Sequence, residues 1–305
     1  MINHHLALLK REIWEHRSIW LTPLAISSIV ILGTLTALIF AGEYAQELDV
    51  ALFGAQNLVG DTERKAVMAG LFFGSSGIFF LALGILTVFY SLDSLYAERK
   101  DKSILFWRSL PVTDAETVIS KLATALLVIP VAAIVAIIGT HLVNLVVTGI
   151  WVSMKGGDAG LLIWGSVPLI DNWLSMIIMI FAASIWMSPF VGWFLLVSAY
   201  TKRSPLLMAF LPLVLIPMLE GIFAHSNEFA KAVWGRLAMI PIHSGVGIEN
   251  LFDEDKFELN DQMVSVLAQI DIGRFLSSGS MWAGVLICAL LTFGAIYIRR
   301  FRDES

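Results

Sequence analysis

The sequence predicts an all-α membrane protein with six transmembrane helices. The 305 residues are 57% hydrophobic and only 15% charged, whereas soluble domains carry roughly 25% charged residues. Several long stretches have no charged side chain, and a helix needs about 20 apolar residues to cross the hydrocarbon layer. Because backbone polar groups in lipid must be paired within the segment itself, we expect these stretches to be helical.

The apolar stretches place the predicted spans along the chain. Five of them contain no charged residue, and a shorter one continues past the single carboxylate of Glu220. In chain order they are residues 18–42, 66–92, 122–154, 172–201, 204–224 and 275–298. The first is too long for a signal-peptide core of about 7 to 15 residues, so we expect a retained span. We expect residues 1–305 to form a single transmembrane domain.

The distribution of charge predicts the orientation. With six alternating spans, the two termini and the loops on their side hold 13 of the 20 Lys and Arg residues. The opposite segments hold 15 of the 25 acidic residues. Basic residues stay on the cytoplasmic side of a membrane. Both termini are therefore predicted to be cytoplasmic, and residues 43–65 and 225–274 to form external loops.

The N-terminal segment, residues 1–17, is predicted to be an amphipathic helix. Ile2, Leu6, Leu9 and Ile13 recur at spacings of four, three and four, and basic residues occupy the other faces. Such a helix would lie in the headgroup layer, with its basic residues toward anionic lipid. The alternative is a frayed, positively charged flank before the first span.

Residues 93–111 are the most informative polar segment. Charged side chains fill its first half and large apolar side chains its second half, and Pro111 ends it. It is longer than the usual helical hairpin connection of about 2 to 8 residues. We expect a short amphipathic helix with its apolar side against the membrane domain and its charged side toward a soluble partner. Thr113 and Glu116 then read as a capping box at the start of the third span.

Other features of the spans and loops are less specific. The second span contains Gly70 and Gly74, a GxxxG spacing that allows close helix approach within the subunit or across a dimer. Pro212 and Pro217 predict a bend in the fifth span. The external loop at 225–274 is predicted to contain amphipathic helices. Its acidic residues lack the ordered spacing of a calcium loop, so we expect them to be solvated.

Three side chains within the spans are candidates for a specific role. Glu220 lies about 23 Å along its helix, where it could snorkel to the outer interface or line a substrate exit route. His141 is either a neutral packing residue or a proton or ligand site. Cys288 is the only cysteine, which leaves a packing role and no disulfide or metal-thiolate site within this chain.

Motifs of nucleotide hydrolysis and of common catalytic centres are absent from the sequence. It has no G-x-x-x-x-G-K-[ST] loop and no HExxH, GxSxG or CxxC motif. We therefore expect no catalytic residues, no metal site and no cofactor in this chain. Few acidic residues lie within the spans, which argues against a proton-coupled pump. Energy for any uphill transport would have to come from another subunit.

Taken together, these features resemble the permease subunit of a type-2 ATP-binding cassette (ABC) exporter, over essentially the whole chain. The family typically has an acidic-basic pair, a leucine-to-proline element, and Gly-Lys opening the third span. The matching residues here are Tyr96, Glu98, Arg99, Leu105, Leu110, Pro111, Val112, Thr113 and Lys121. Two positions depart from the family: Lys102-Ser103 stands where Gly-Thr is common, and Ser120 replaces the Gly. They leave the subfamily open.

The resemblance implies a coupling helix at 93–111 that docks into a separate ATPase subunit. It implies that the contact residues are Tyr96, Glu98, Arg99, Asp101 and Lys102, with Phe106 and Trp107 anchoring the helix to the spans. ATP and Mg²⁺ would be bound by the ATPase. The complex would contain a second permease, identical or different, in the lipid of a bacterial inner membrane. It would export an amphipathic or hydrophobic peptide, drug or lipid.

Other functions remain open at the level of sequence. A secondary transporter or channel would usually show inverted repeats or broken helices around polar residues at the midplane. A membrane-embedded redox subunit would need a pair of intramembrane ligands. An ABC complex could also act as a sensor rather than an exporter. No nucleic-acid partner is expected.

Overall fold

The computed structural model describes residues 2–41, 60–108, 111–238, 240–242 and 265–301, together with positions 54 and 57. All the regular secondary structure in these residues is helical, and they contain no β-strand. Six of the helices are long and apolar enough to cross a membrane. The predicted all-α class with six membrane-spanning helices is confirmed at this level.

The helices are numbered here in chain order. They are α1 Ile2–Glu15, α2 Ser18–Ala41, α3 Asp61–Lys100, α4 Ser103–Arg108, α5 Asp114–Met154, α6 Leu169–Trp186, α7 Ser188–Tyr200, α8 Pro205–Ala224, α9 Glu228–Ala238, α10 Ile272–Ser277 and α11 Gly279–Phe301. The six candidate spans are α2, α3, α5, the segment Gly160–Trp186 that ends with α6, α8 and α11. Helix α7 continues the fourth span after an interruption.

The predicted helix at 93–111 is shorter in the structure. Helix α3 is 40 residues long, about 60 Å at 1.5 Å per residue, and it continues to Lys100. No Gly or Pro interrupts residues 93–100, and Leu95 and Glu98 keep one face of this segment buried. The chain turns only at Lys102, which has a left-handed φ of 58°. The separate helix is therefore α4 alone, and residues 93–100 belong to the second span.

The fourth span is interrupted next to a proline that the sequence analysis did not single out. Pro189 has no backbone N–H to donate. The amide of Phe190 donates to the carbonyl of Met187 at 3.0 Å, one residue short of its helical partner. The carbonyl of Trp186 therefore lacks its usual donor. By contrast, Pro212 and Pro217 lie inside one helical segment, Pro205–Leu219.

Helices α7 and α11 pack closely against each other. A Cβ atom at Gly192 would lie 3.0 Å from the carbonyl oxygen of Cys288 and 3.1 Å from its Cα, so only glycine allows this approach. Cys288 is buried, as its predicted packing role requires. The GxxxG pair behaves differently, because a Cβ at Gly70 or Gly74 would meet nothing within 4 Å. Among the residues that the structure describes, that motif makes no close helix contact.

The N-terminal helix α1 packs against the start of α5. It buries Leu8 and Glu12, while Leu6 and Trp14 are exposed. The buried face of α1 is thus rotated away from the predicted apolar face of Ile2, Leu6, Leu9 and Ile13. Leu6, a member of that predicted face, points away from the protein. The location of α1 in the headgroup layer stays a prediction.

Candidate functional site

Helix α1 and the termini of three spans meet at one end of the bundle. These termini are the end of α3, the start of α5 and the end of α11. Alternating spans place all three on the same side of a membrane. We call this the α1 end, and it is the end from which α4 projects.

A lysine is completely buried at the α1 end. Lys121 has 0% of its side chain exposed, and its Nζ lies 3.0 and 3.1 Å from the two carboxylate oxygens of Glu12. The same Nζ lies 3.0 Å from Oε1 of Glu98, which is itself buried. A buried charge costs several kcal/mol unless it is paired and hydrogen-bonded. Lys121 therefore fixes α1 and α3 to α5.

Further charges extend this arrangement to α11. Arg299 donates through Nη1 to Glu98 at 2.5 Å and through Nε to Asp114 at 3.0 Å. Arg11 donates to Glu12 at 2.6 Å. We name the whole set the ion-pair cluster. It consists of Arg11, Glu12, Glu98, Asp114, Lys121 and Arg299. The formal charges of its three cations and three carboxylates balance, and Glu15 lies at its edge, 3.5 Å from Arg11.

Burial and neighbouring charges shift the pKa values of Glu12 on α1 and of His16, which follows the end of α1. Burial raises the pKa of Glu12, but the charges of Lys121 and Arg11 and the hydrogen bond from Tyr90 hold it below its ordinary value. The Tyr90 hydroxyl donates to Glu12 at 2.7 Å. Burial, followed by the charge of Lys121, lowers the pKa of His16. Glu12 is therefore ionised and His16 neutral at pH 7.

A second set of contacts joins the end of α3 to the end of α7. Arg99 donates to the backbone carbonyls of Ser198 at 2.5 Å and Thr201 at 2.8 Å. The Tyr96 hydroxyl donates to the carbonyl of Arg203 at 3.0 Å. The last carbonyls of a helix have no partner within it, and a cation there also complements the helix dipole. These bonds tie α7 to the same structural unit.

The structure separates the predicted docking residues into two groups. Glu98 is only 6% exposed, and half-buried Arg99 donates to the carbonyls at the end of α7, so we no longer count either as a docking residue. Asp101 and Lys102 are exposed at the turn before α4. Phe106 was expected to anchor α4 to the spans, but it is 60% exposed.

A different residue anchors α4 to the bundle. Ile104 is 3% exposed and turns inward. The side chain of Trp107 lies outside the described residues. Sequence reasoning also missed the partners of Glu98, namely Lys121 and Arg299, because they are remote in the chain. A polar residue at Glu12, one helical turn after the buried Leu8, was the only local signal.

His141 is held by hydrogen bonds inside the bundle. The indole of Trp173 donates to Nδ1 at 3.3 Å, so the ring proton lies on Nε2. That nitrogen lies 3.2 Å from the hydroxyl of Ser75 and 3.3 Å from that of Ser76. The ring is 3% exposed. This geometry supports the packing interpretation of His141.

Glu220 caps the helix that follows the fifth span. Its Oε1 accepts from the Ser226 hydroxyl at 2.6 Å and the Glu228 amide at 2.9 Å. Its Oε2 accepts from the Phe229 amide at 3.0 Å. A carboxylate stabilises a helix N-terminus through these free amides and the helix dipole. Glu220 therefore fixes α9 to the end of α8.

Helix α9 also closes the interruption of the fourth span. Arg236 donates through Nε to the free carbonyl of Trp186 at 2.7 Å. Its Nη2 donates to the backbone carbonyl of Ser280 at 3.0 Å. Its guanidinium lies 4.1 Å from the centroid of the Trp186 ring. Gly284 leaves room for the group, since a Cβ there would overlap it. We call this contact the Arg236 latch.

One group of possible metal ligands occurs in the described part of the chain. Ligand atoms of Glu12, Glu15 and His16 lie within 4.8 Å of one another. Lys121 and Arg11 already neutralise Glu12, so the local charge favours ion pairing over a bound cation. Comparison with protein-family models, with curated proteins and with solved structures gives no match.

Proposed function

We propose that this chain is the membrane-spanning permease subunit of an ABC exporter. It couples ATP hydrolysis by a separate ATPase subunit to the export of an amphipathic or hydrophobic substrate. The observation that carries this proposal is the position of α4, a short helix at the tip of a long span, with Asp101, Lys102 and Phe106 exposed. The ion-pair cluster beside it joins that tip to three other helices.

The geometry of the α1 end suits the transmission of force. A load on α4 acts directly on α3, whose end is tied to α1, α5 and α11 by the ion-pair cluster and to α7 by Arg99. These helix ends therefore move together. Free energy from ATP reaches the spans only if α4 makes different contacts in the two states of the ATPase. We assign these contacts to Asp101, Lys102 and Phe106, which we name the α4 surface.

The side chains inside the spans support an external source of energy. A proton-coupled transporter relies on ionisable groups within the membrane. Here Glu220 accepts hydrogen bonds from the start of α9, and His141 is hydrogen-bonded to Trp173 and two serines. ATP and Mg²⁺ would be held by the partner, and a second permease, identical or different, would complete the complex. The distribution of basic residues supports a cytoplasmic location for α4.

Transport by reconstituted protein tests the proposal. The chain and the ATPase subunit that co-purifies with it are placed in liposomes containing a fluorescent amphipathic substrate. We expect flux that requires ATP and stops when the ATPase subunit is omitted. Flux driven by an ion gradient through the chain alone would contradict the proposal and indicate a secondary transporter. An absorption spectrum of the purified chain checks the redox alternative.

A further inference from the structure

A cavity of about 710 Å³ lies between α2 and α3 and reaches the α1 end. Four apolar residues of its α3 wall are each more than half exposed, so the cavity is open toward the surroundings of the bundle. They are Ile78, Leu81, Ile85 and Phe89. Because α2 and α3 are candidate spans, this opening faces the acyl chains of the membrane.

The lining of the cavity changes from polar to apolar along its length. Ser18, Thr22 and Ile26 line it at intervals of four residues, about 6 Å each, on one face of α2. On α3 the carboxylate of Asp93 lies at the α1 end, and the lining residues from Leu86 back to Ile78 are apolar. The order on both helices is therefore charge or hydroxyl first, then hydrocarbon.

The polar end of the cavity lies where two charge-free stretches of the sequence end. Residue 18 begins the stretch 18–42, and Asp93 is the first charged residue after the stretch 66–92. Side chains at this depth meet lipid headgroups, whereas deeper ones meet acyl chains. A ligand that is polar at one end and apolar along the rest is therefore complementary to the cavity.

The two hydroxyl groups in the cavity differ from the others on α2. Four other hydroxyls of this helix donate to the backbone carbonyl four residues earlier, and they belong to Ser27, Ser28, Thr34 and Thr36. Those of Ser18 and Thr22 make no hydrogen bond with a described residue. They can therefore donate to phosphate and ester oxygens of a ligand.

The lining of the cavity carries one uncompensated negative charge. Asp93 is exposed and forms no ion pair with another described residue. His16 lines the same end but is neutral at pH 7, and Arg17 lies outside the lining. The cavity therefore favours a cationic group at its polar end over an anionic one.

We propose that this cavity binds a phospholipid with an ammonium group in its head, such as phosphatidylethanolamine. The ammonium pairs with Asp93, and the hydroxyls of Ser18 and Thr22 donate to the phosphate and ester oxygens. An acyl chain follows the apolar wall of α3. The inference is independent of the proposed function, because the site requires neither ATP nor another subunit.

Photo-crosslinking in nanodiscs tests the binding. The full chain is reconstituted with a trace of phosphatidylethanolamine or of phosphatidylglycerol, each with a diazirine in one acyl chain, and labelled peptides are mapped by mass spectrometry. We expect phosphatidylethanolamine to label the α3 wall roughly two- to fivefold more, as one exposed ion pair allows. Asp93→Asn should abolish this preference. Asp101→Asn is the matched control and should keep it, since Asp101 is exposed at the same end but outside the cavity.

A second pair of variants tests the apolar part of the cavity. Ala82→Phe should fill it and lower labelling by both lipids severalfold, whereas Ala25→Phe, on the exposed surface of α2 outside the cavity, should not. Equal labelling by the two lipids, or a preference that survives Asp93→Asn, would overturn the proposal. So would weak labelling by both lipids with covalent dimers through Phe89→Cys, which would show that a second copy covers this face. Since no ATPase subunit is present, these outcomes leave the test of the proposed function unaffected.

Discussion

At the scale of single residues, the packing of helices at the α1 end depends most on Lys121. Its charge lies between two buried carboxylates of different helices, and its side chain is fully enclosed. The sequence shows a lysine near the start of an apolar stretch, which reads equally well as a basic loop residue. Its burial follows from packing with α1 and α3, so the partners Glu12 and Glu98 could not be read from local pattern.

Removing this cation should destabilise the protein strongly. Lys121→Met leaves buried carboxylates without their partner, and the loss of one member of a buried pair costs about 3 to 5 kcal/mol. Thermal unfolding in detergent measures the effect. Lys100→Met is the control, since Lys100 is exposed at the same end. Adding Glu12→Gln to Lys121→Met should recover part of the lost stability. Equal stability of the Lys121→Met and Lys100→Met variants would contradict the stabilising role of the ion-pair cluster.

The pKa of His16 predicts a loss of stability in mild acid. Burial and Lys121 lower it below 6.5, and Glu12, Asp93 and Glu98 only partly oppose them. The unfolded chain then binds the proton more readily, so stability falls as pH drops below about 6.5. The melting temperature of the wild type should be lower at pH 5.5 than at pH 7.5. His16→Asn should reduce this difference, and an unchanged difference would refute the assignment.

At the scale of elements, the sequence predicted helix starts better than helix breaks. The capping box at Thr113 is confirmed: Glu116 donates its amide to the Thr113 hydroxyl at 3.2 Å and accepts from the Thr113 amide at 2.8 Å. The end of α3 was placed too early because charged residues resemble a loop. Glu98 is paired within the ion-pair cluster, and Arg99 donates to the carbonyls of Ser198 and Thr201. Only tertiary contacts supply these partners.

The contact between α7 and α11 should be sensitive to a single methyl group. Gly192→Ala places its Cβ within 3.1 Å of the Cys288 backbone, and overpacking of this kind costs about 1 to 3 kcal/mol. Gly77→Ala meets nothing within 4 Å and should be neutral or slightly stabilising, because alanine favours helix. The comparison uses thermal unfolding of both variants. A Gly192→Ala protein as stable as the control would show that α7 and α11 are less closely packed.

At the scale of the whole molecule, the spans were predictable and the functional unit was not. Charge-free stretches identify membrane-crossing helices because lipid excludes unpaired polar groups. Joining positions 12, 98, 121 and 299 into one cluster requires the three-dimensional packing of four helices. The α4 surface was likewise only partly predicted, since burial removes Glu98 from it and hydrogen bonds to the end of α7 remove Arg99. Phe106, which was predicted to anchor α4, is 60% exposed.

ATP hydrolysis that co-purifies with the chain tests the central claim most directly. The tagged chain is extracted from its native membranes in mild detergent, and ATPase activity is measured across the gel-filtration peak. The account predicts co-eluting activity that Phe106→Asp removes and Phe301→Asp retains, both residues being exposed at the α1 end. Absence of activity from the wild-type peak, or equal activity in both variants, would contradict it.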